Sequence, residues 1–308
     1  MIGEGLLRCA TGEDEFAIRA HDVRHVARAD QLRSDETTDG RAGVVRLGGH
    51  LVPVFRLRST LGLPPLDTAA RHEQHIAVTG DHDELVGWLV DRISREPETS
   101  TAQIAALPAA IGGKARHWFE GVVTCADRRT ILLLDPKRLD PLRPNTSPRD
   151  EDDQKPFVPQ LTARIEQAEP VALVFSTPSL PDSRIDKFAL SGRQVAAIVQ
   201  PSDPIGVPGC APHVAGLTLW RDVVVPIVDF RRGSRAGSSQ QRRLIARCAV
   251  SHSLMALTID ADVVMHRPAA DNKLVVDVPC PPFANGVFDL NGDKVALLDL
   301  DALVTGAG

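Results

Sequence analysis

Two histidines four residues apart, His21 and His25, have the first spacing along this sequence that could hold a metal. The segment HDVRH imitates the H-E-x-x-H pattern, in which a helix presents both imidazoles to zinc and a glutamate serves as the base. In this sequence the acid is Asp22, and the segment fits a strand rather than a helix. We therefore expect no metal-binding residues here.

The other polar clusters do not predict a reaction either. His72 and His75 have no cysteine or carboxylate partner at ligand spacing. Gly112-Gly113-Lys114 lacks the glycine spacing of a phosphate-binding loop and is more simply a turn. The chain contains no G-x-S-x-G or G-x-G-x-x-G sequence, the patterns of a nucleophile elbow and a dinucleotide site. We predict no catalytic residue, no cofactor and no enzymatic activity.

Composition and charge indicate an ordinary globular protein that offers surfaces for binding. Hydrophobic residues make up 43% of the 308 residues and charged residues 24%. The formal net charge is −5, so no overall positive field recruits nucleic acid or an anionic membrane. The basic segment 231–243 has no interleaved aromatic residues, and we interpret it as a solvated loop.

Cysteine usage and the apolar runs predict a cytoplasmic location. The five cysteines are scattered without a CxxC pair, which favours reduced thiols over disulfides or a zinc site. The N-terminus lacks a basic segment followed by the long apolar run of a secretory signal. No stretch approaches the roughly 20 apolar residues that span a bilayer, and we expect no insertion into a membrane.

An internal repeat supplies the elements that position the surface residues. Residues 42–58, AGVVRLGGHLVPVFRLR, align with residues 215–231, AGLTLWRDVVVPIVDFR. The β-branched and aromatic residues predict two short strands around a polar tip. The tip is Gly48-Gly49-His50 in one copy and Arg221-Asp222 in the other. The identical positions are Ala42/Ala215, Gly43/Gly216, Val52/Val225, Pro53/Pro226 and Arg58/Arg231.

The shared proline adds a constraint on the sheet. Because proline cannot donate a ladder hydrogen bond, it belongs on an edge strand or at the start of a strand. An edge strand leaves backbone groups unpaired and would form a docking edge. The alternative is a core hairpin in which the proline marks a bulge.

Further short elements are predicted along both halves. The expected strands lie at residues 6–28 (two or three strands), 75–78, 86–93, 118–123, 131–134, 171–177, 259–265 and 274–278. Thr99–Leu107 is a candidate helix, because Ser100 and Gln103 have the spacing of a capping box. A second candidate helix is Leu161–Glu169.

Residues 140–160 mark a boundary between two domains. Five prolines and a run of acidic residues leave little to bury there. We predict a first domain over residues 1–140, a linker with a possible short helix over 141–168, and a second domain over 169–308. Each half is long enough to bury its own core, so we expect the halves to fold separately.

The repeated pattern of glycine, apolar residues, proline and arginine resembles the signature of CheW-like domains, the adaptor modules of bacterial chemosensory arrays. Other segments support the resemblance in the same order. Phe16-Ala17-Ile18 recurs as Phe188-Ala189-Leu190, and Val207–Gly216 is similar to the family's Pro-Gly-Ala-Pro run. The resemblance covers nearly the whole chain outside the linker.

The resemblance implies a mainly β fold. Two CheW-like domains would lie in tandem, each a pair of small SH3-like β-barrels with few short helices and a groove between the barrels. It also implies a non-enzymatic cytoplasmic adaptor that couples the cytoplasmic tip of a methyl-accepting chemoreceptor to the regulatory domain of a CheA-type histidine kinase. The output would be chemotaxis or pilus motility, and an oligomeric array is conceivable.

An alternative from another class stays open. The chain could be a small-ligand-binding or regulatory β-barrel protein without kinase coupling, with the groove as its pocket.

The resemblance assigns protein binding to residues of the repeated hairpins: Gly49, Pro53, Arg56, Arg58, Arg221, Pro226, Asp229 and Arg231. The family usually has Arg-Gly at the tip and Asp-Leu-Arg after the proline. The first copy keeps the glycine but lacks the arginine and the aspartate, whereas the second keeps Arg221 and Asp229. We therefore expect the second domain to be the main kinase binder. For the two shared arginines, pairing with a nearby acid, such as Asp91 or Asp260, is an equal alternative.

Overall fold

The computed structural model describes most residues of the chain. They are 5–34, 40–65, 73–81, 84–96, 103–125, 127–139, 141, 172–177, 185–230, 241–260, 262–266 and 283–305. The chain divides into two compact units, one comprising most of residues 1–149 and the other most of residues 150–308. The domain boundaries proposed from sequence stay a prediction, and all of the linker except residue 141 lies outside the described residues.

The first unit consists of short strands in two sheets. Its strands are β1 (Leu6–Thr11), β2 (Asp14–Arg19), β3 (Val23–Arg28), β4 (Arg33–Ser34), β5 (Arg41–Leu47), β6 (His50–Arg56), β7 (His75–Thr79), β8 (Val86–Val90), β9 (Arg92–Arg95), β10 (Gln103–Ala106), β11 (Phe119–Thr124) and β12 (Thr130–Leu134). Its helices are α1 (Leu57–Thr60) and α2 (Ala115–Trp118). The sheet orders are β10-β11-β12-β2-β1-β9 and β3-β7-β8-β6-β5-β4.

The second unit repeats this plan. Its strands are β13 (Ala172–Ser176), β14 (Lys187–Ser191), β15 (Val195–Val199), β16 (Val214–Trp220), β17 (Val223–Val228), β18 (Arg242–Arg247), β19 (Leu254–Ile259), β20 (Val263–His266), β21 (Ala284–Leu290) and β22 (Asp293–Leu298), followed by helix α3 (Leu300–Thr305). The sheet orders are β20-β13-β14-β22-β21 and β15-β18-β19-β17-β16. The prediction of a mainly β fold with few short helices is confirmed.

A parallel strand pair closes one sheet of each unit. Strand β2 pairs with β12, placing Phe16 opposite Leu132, and β14 pairs with β22, placing Phe188 opposite Ala296. Both phenylalanines are buried. Phe16, for example, stacks on Phe119 with ring centroids 5.9 Å apart. The opening hairpin of each repeat is thereby tied to that repeat's last strand.

The glycine shared by the two hairpins is required by close backbone packing. Gly43 and Gly216 follow β-bulges in β5 and β16 and have φ angles of 148° and 146°. A Cβ atom on Gly43 would lie 2.2 Å from the carbonyl oxygen of Arg33, and one on Gly216 would lie 2.5 Å from that of Ile205. No larger residue fits either place without moving the neighbouring backbone, which explains why both copies carry glycine.

Several elements differ from the sequence-based prediction. Of the candidate helix Thr99–Leu107, the described part is strand β10, which pairs with β11; the local capping pattern is overridden by sheet pairing. The expected strand over 259–265 is two strands, since β19 ends at Ile259 and β20 begins at Val263. The candidate helix 161–169 and the candidate strand 274–278 lie outside the described residues.

The segment expected to be a basic loop, 231–243, also needs correction. Its last two residues, Arg242 and Arg243, belong to strand β18. Arg243 is 9% exposed and hydrogen-bonds to the hydroxyl of Thr258 on the neighbouring strand. The guanidinium of Arg243 is therefore part of the sheet rather than a solvated loop, and residues 231–240 lie outside the described part.

A network of charges holds the outer strands of the first unit around Arg8 in β1. The Arg8 guanidinium lies 2.8 Å from Glu15, 3.1 Å from Glu96 and 3.1 Å from Asp127. Glu15 also pairs with Arg129 at 3.2 Å. The side chains of Arg8, Glu15 and Glu96 are 10–14% exposed, so removing one partner leaves a charge poorly solvated.

This network sets the acid sensitivity of the first unit. Burial alone would raise the pKa of Glu15, but hydrogen bonds and charges from Arg8 and Arg129 outweigh it and hold that pKa below its usual value of 4.5. A lowered pKa means that the folded state holds its carboxylate more strongly than the unfolded chain does. The stabilisation is therefore present above the unfolded pKa and is lost as the pH falls through the folded one.

We predict that Glu15→Gln lowers the melting temperature of the first unit at neutral pH and flattens its decline below about pH 4.5. Calorimetric melting of the whole chain between about pH 7 and pH 3 measures this, with the exposed Glu13→Gln as control. An unchanged acid limb in the Glu15 variant would contradict the role given to the network.

A second prediction concerns the bulge glycine of the second unit. Gly216→Ala should destabilise that unit by about 1–3 kcal/mol or more, because the methyl group meets the Ile205 carbonyl and the left-hand φ is strained. Gly206→Ala is the matched control, since a Cβ atom there meets nothing within 4 Å. Denaturant unfolding of both variants gives the comparison; equal stability would rule out the packing argument.

Candidate protein-docking site

Most of the residues assigned to protein binding lie on the hairpins β5–β6 and β16–β17 or directly after them, but the prolines do not form a docking edge. Strand β6 is an inner strand between β8 and β5, and β17 lies between β19 and β16. In both units the parallel ladder begins directly after the proline, at Val54 and at Ile227. Pro53 and Pro226 thus lie directly before the start of a parallel ladder. The prediction that they mark an exposed docking edge is wrong.

The tip of the β16–β17 hairpin carries charged, aromatic and aliphatic side chains, of which Trp220 is half-buried and packs against a hydrophobic cluster of the same sheet. Arg221 and Asp222 form the turn with φ angles of 49° and 63°, a left-handed conformation uncommon for residues other than glycine. The Arg221 guanidinium carbon lies 4.7 Å from the centre of the Trp220 ring, a cation–π distance. Beside them, Leu219 is 42% exposed and Val223 is 46% exposed.

The tip of the β5–β6 hairpin has the same backbone but different side chains. Gly48 and Gly49 form the turn with φ angles of 52° and 92°. The flanking Leu51 is 60% exposed, and Arg46 and His50 are also exposed. The tip therefore offers one large apolar side chain and no aromatic ring, whereas the second tip combines aliphatic, aromatic and cationic groups.

Arg58 makes its contacts inside the first unit. Its guanidinium lies 2.8 Å from Asp14 and donates to the Thr11 carbonyl at 2.9 Å and to the Pro64 carbonyl. The side chain is 16% exposed. The acid it binds is Asp14 rather than the expected Asp91. Arg58 thus joins helix α1, which follows β6, to the turn between β1 and β2 in the other sheet.

Asp91 supports the same junction through different partners. Its carboxylate accepts hydrogen bonds from the Gly12 backbone at 2.6 Å and from the Gln74 amide at 2.9 Å. Its backbone N–H donates to the Ala10 carbonyl, and Asp260 donates to Ser176 in the same way in the second unit. The junction between the sheets is therefore built from polar contacts in both repeats.

The remaining predicted residues are placed as follows. Arg56 ends β6 and is partly exposed, and Asp229 directly follows β17 and donates its backbone N–H to the His213 carbonyl. Pro226 is buried in β17. Arg231 lies outside the described residues. Gly49 is exposed at the first tip.

Trp220, Leu219 and Val223 are not among the residues that the sequence predicted for binding. Their apolar character does not single them out, because the alternation of a hairpin does not show which face another element covers. A tryptophan directly before the tip arginine was the available signal, since tryptophan and arginine are enriched in binding hot spots.

The structure gives little geometry for metal, ligand or membrane binding in the part it describes. Within those residues, no three histidine, cysteine or acidic side chains come together as a metal site. One small cavity of about 100 Å³ is lined by His21, Asp22, Arg24, Gly80, Asp81, Pro136 and Lys137. No described helix is long and apolar enough to cross a bilayer.

The described cysteines are free, and burial weakens their acidity. Burial raises the pKa of Cys9 to about 12 and that of Cys125 to about 11. Burial likewise raises the pKa values of Cys210 and Cys248. Since the thiolate is the reactive form, these thiols are poor nucleophiles in the folded chain.

The two hairpins and the paired sheets lie within regions that match one protein family. The model of the CheW-like domain matches residues 5–141 and again residues 181–307. The chain belongs to the CheW-like domain family. The first region contains both sheets of the first unit, and the second contains all described strands of the second unit except β13. This is therefore a tandem CheW-like protein, and the fold prediction is confirmed.

Solved structures include a similar protein, the scaffolding protein TtCheW from Thermoanaerobacter tengcongensis. The match has a TM-score of 0.37 and 17% identity, and it covers 44% of this chain and 90% of that one. No curated protein sequence matches the chain.

The contacts of Arg58 generate a prediction about stability. Arg58→Ala should destabilise the first CheW-like domain by about 1–3 kcal/mol, because partly buried acceptors lose their donor. A double-mutant cycle with Asp14→Ala should show a coupling of roughly 0.5–1 kcal/mol in denaturant unfolding. Strictly additive effects would mean that the ion pair does not join the two sheets energetically.

Proposed function

We propose that this protein is a non-catalytic chemosensory adaptor that couples a chemoreceptor to a CheA-type histidine kinase. Membership of the CheW-like domain family supports the type of function. The absence of a convergent catalytic pattern in the sequence supports a binding role. Chemotaxis and pilus motility are both compatible outputs.

The second domain is proposed to bind the regulatory domain of the kinase. The side chains at the tip of the β16–β17 hairpin are the main support for this proposal. Transient signalling interfaces are small, and a few anchors supply most of their binding energy. Trp220 and Arg221 are the residue types most enriched among such anchors. Leu219 and Val223 flank them with apolar surface that a partner can cover.

The backbone of the tip favours a binding role over a purely structural one. Two successive residues other than glycine adopt left-handed conformations at Arg221 and Asp222, each at a cost of order 1 kcal/mol. Glycine occupies the same turn in the first domain and avoids that cost. The second hairpin thus retains charged side chains at a position where glycine is the more stable choice.

The first domain is proposed to be the receptor-facing or structural half. Its turn carries glycines instead of the charged turn residues of the second domain, with Arg46 exposed on the flanking strand, and Arg58 is occupied by contacts within the domain. A contribution of Pro53, Arg56 and Arg58 to docking stays a prediction. The exposed Leu51 leaves an apolar contact available.

The small-ligand alternative receives no support from the described geometry. Pockets that hold drug-sized ligands usually enclose about 300–1,000 Å³. The cavity beside His21 is about 100 Å³ and is lined mainly by charged side chains. Melting the protein against a metabolite panel would test this alternative, because a bound ligand raises the melting temperature.

Charge reversal at the second tip tests the proposed function. Arg221→Glu should weaken binding to the kinase regulatory domain about tenfold or more, which corresponds to about 1.4 kcal/mol. Isothermal titration calorimetry with the purified kinase domain measures the change.

Gly48→Glu in the first domain is the matched control. Gly48 and Arg221 have nearly the same φ, 52° and 49°, so both variants place glutamate on the same kind of turn. The Gly48 variant should bind kinase nearly as well as the wild type, provided both variants are fully folded at the assay temperature. A larger loss from Gly48→Glu would move the kinase site to the first domain, and no binding by the wild type would refute kinase coupling.

A further inference from the structure

An ion pair in the first domain links the opening hairpin to the last strand. Glu15 directly precedes Phe16 in β2, and its carboxylate lies 3.2 Å from the guanidinium of Arg129. Arg129 lies three positions before Leu132, the residue of β12 that pairs with Phe16. The acid is on the opening hairpin, and the base lies directly before the closing strand β12.

The second domain has an ion pair at the same position with the charges exchanged. Lys187 directly precedes Phe188 in β14 and binds the carboxylate of Asp293. Asp293 lies three positions before Ala296, the residue of β22 that pairs with Phe188. Here the base is on the opening hairpin, and the acid is on the closing strand.

The apolar residues around these pairs follow the same pattern in both domains, with Leu132 and Ala296 as the main difference in size. The opening strands carry Phe-Ala-Ile in one domain and Phe-Ala-Leu in the other. The closing strands carry Ile-Leu-Leu-Leu at residues 131–134 and Val-Ala-Leu-Leu at residues 295–298. Because all of these positions are apolar, hydrophobic burial alone would let either opening hairpin join either closing strand.

We propose that the exchanged charges direct each opening hairpin to its own domain and oppose pairing between the two repeats. In a crossed arrangement, Glu15 would face Asp293, and Lys187 would face Arg129. The two correct pairs attract, and the two crossed pairs repel. The charges therefore favour correct pairing and also disfavour crossed pairing, the combination on which specificity often depends. Incorrect assembly is a characteristic failure of multidomain and repeat proteins.

The network around Arg8 adds a second difference of the same kind. The position of Arg8, opposite Ala17 in the hairpin β1–β2, is held by Val174, opposite Ala189, in the hairpin β13–β14. If the second hairpin entered the first domain, Val174 would replace Arg8 beside Glu96. Glu96 is only 10% exposed, so its carboxylate would lose its cation in a poorly solvated place.

Refolding of the full chain tests this proposal. The double variant Lys187→Glu/Asp293→Arg gives the second domain the charge order of the first and leaves the net charge unchanged. Its own ion pair is retained, and so we expect a melting temperature within a few degrees of the wild type. After dilution from urea at low salt, the fraction that is aggregated or domain-swapped should rise about threefold or more, measured by size-exclusion chromatography with light scattering.

Two control variants separate mispairing from simple weakening. Lys187→Gln/Asp293→Asn removes the pair without creating attractive crossed contacts, and it should misassemble less than the exchanged variant. Arg24→Asp/Asp81→Arg exchanges an exposed ion pair that does not join an opening hairpin to a closing strand, and it should refold like the wild type.

Salt supplies the second measurement. The excess misassembly of the exchanged variant should disappear at about 1 M salt, where the Debye length is only about 3 Å. Refolding yields equal to the wild type at low salt would overturn the proposal. Misassembly equal to that of the neutral variant, or unaffected by salt, would also overturn it.

Discussion

The parallel pairing of an early strand with the last strand of the same repeat is the contact on which each domain depends. It joins residues more than a hundred positions apart, Phe16 with Leu132 and Phe188 with Ala296. Such distant contacts are expensive in chain entropy and form slowly. Once made, they bury the phenylalanine rings and hold the ends of the repeat in one sheet. Polar contacts of Asp91 in the first domain, and of Asp260 in the second, then connect the two sheets of each domain.

Several residues shared by the two hairpins have a clear architectural role, and their contribution to docking stays a prediction. Gly43 and Gly216 admit a neighbouring carbonyl where a side chain would collide. Pro53 and Pro226 stand directly before the first pairing of a parallel ladder, where a missing N–H costs little. Arg58 joins two sheets. The side chains that differ between the repeats lie at the hairpin tips, and these exposed positions are the ones available for division of labour between the domains.

Most of the fold could be predicted from sequence, because the repeat gave every pattern twice. The strands around Phe16 and Phe188 and the two hairpins have clear alternation and strong turn residues. The errors arose where long-range pairing decides the outcome: Gln103–Ala106 has a helical capping pattern nearby but pairs with β11. The position of the prolines within the sheet could not be read locally either, since strand order is a property of the whole domain. For the same reason, the sequence allowed an acid such as Asp91 as the partner of Arg58, whereas the folded chain brings Asp14 to it.

The division of labour between the domains is tested most directly by hydrogen exchange of the full chain with and without the regulatory domain of a CheA-type kinase. Amide protection reports which backbone segments a partner covers. The account predicts slower exchange at the β16–β17 hairpin, centred on residues 219–223, and unchanged exchange at residues 46–51 of the β5–β6 hairpin. Protection confined to the β5–β6 tip, or no protection at either tip, would contradict it.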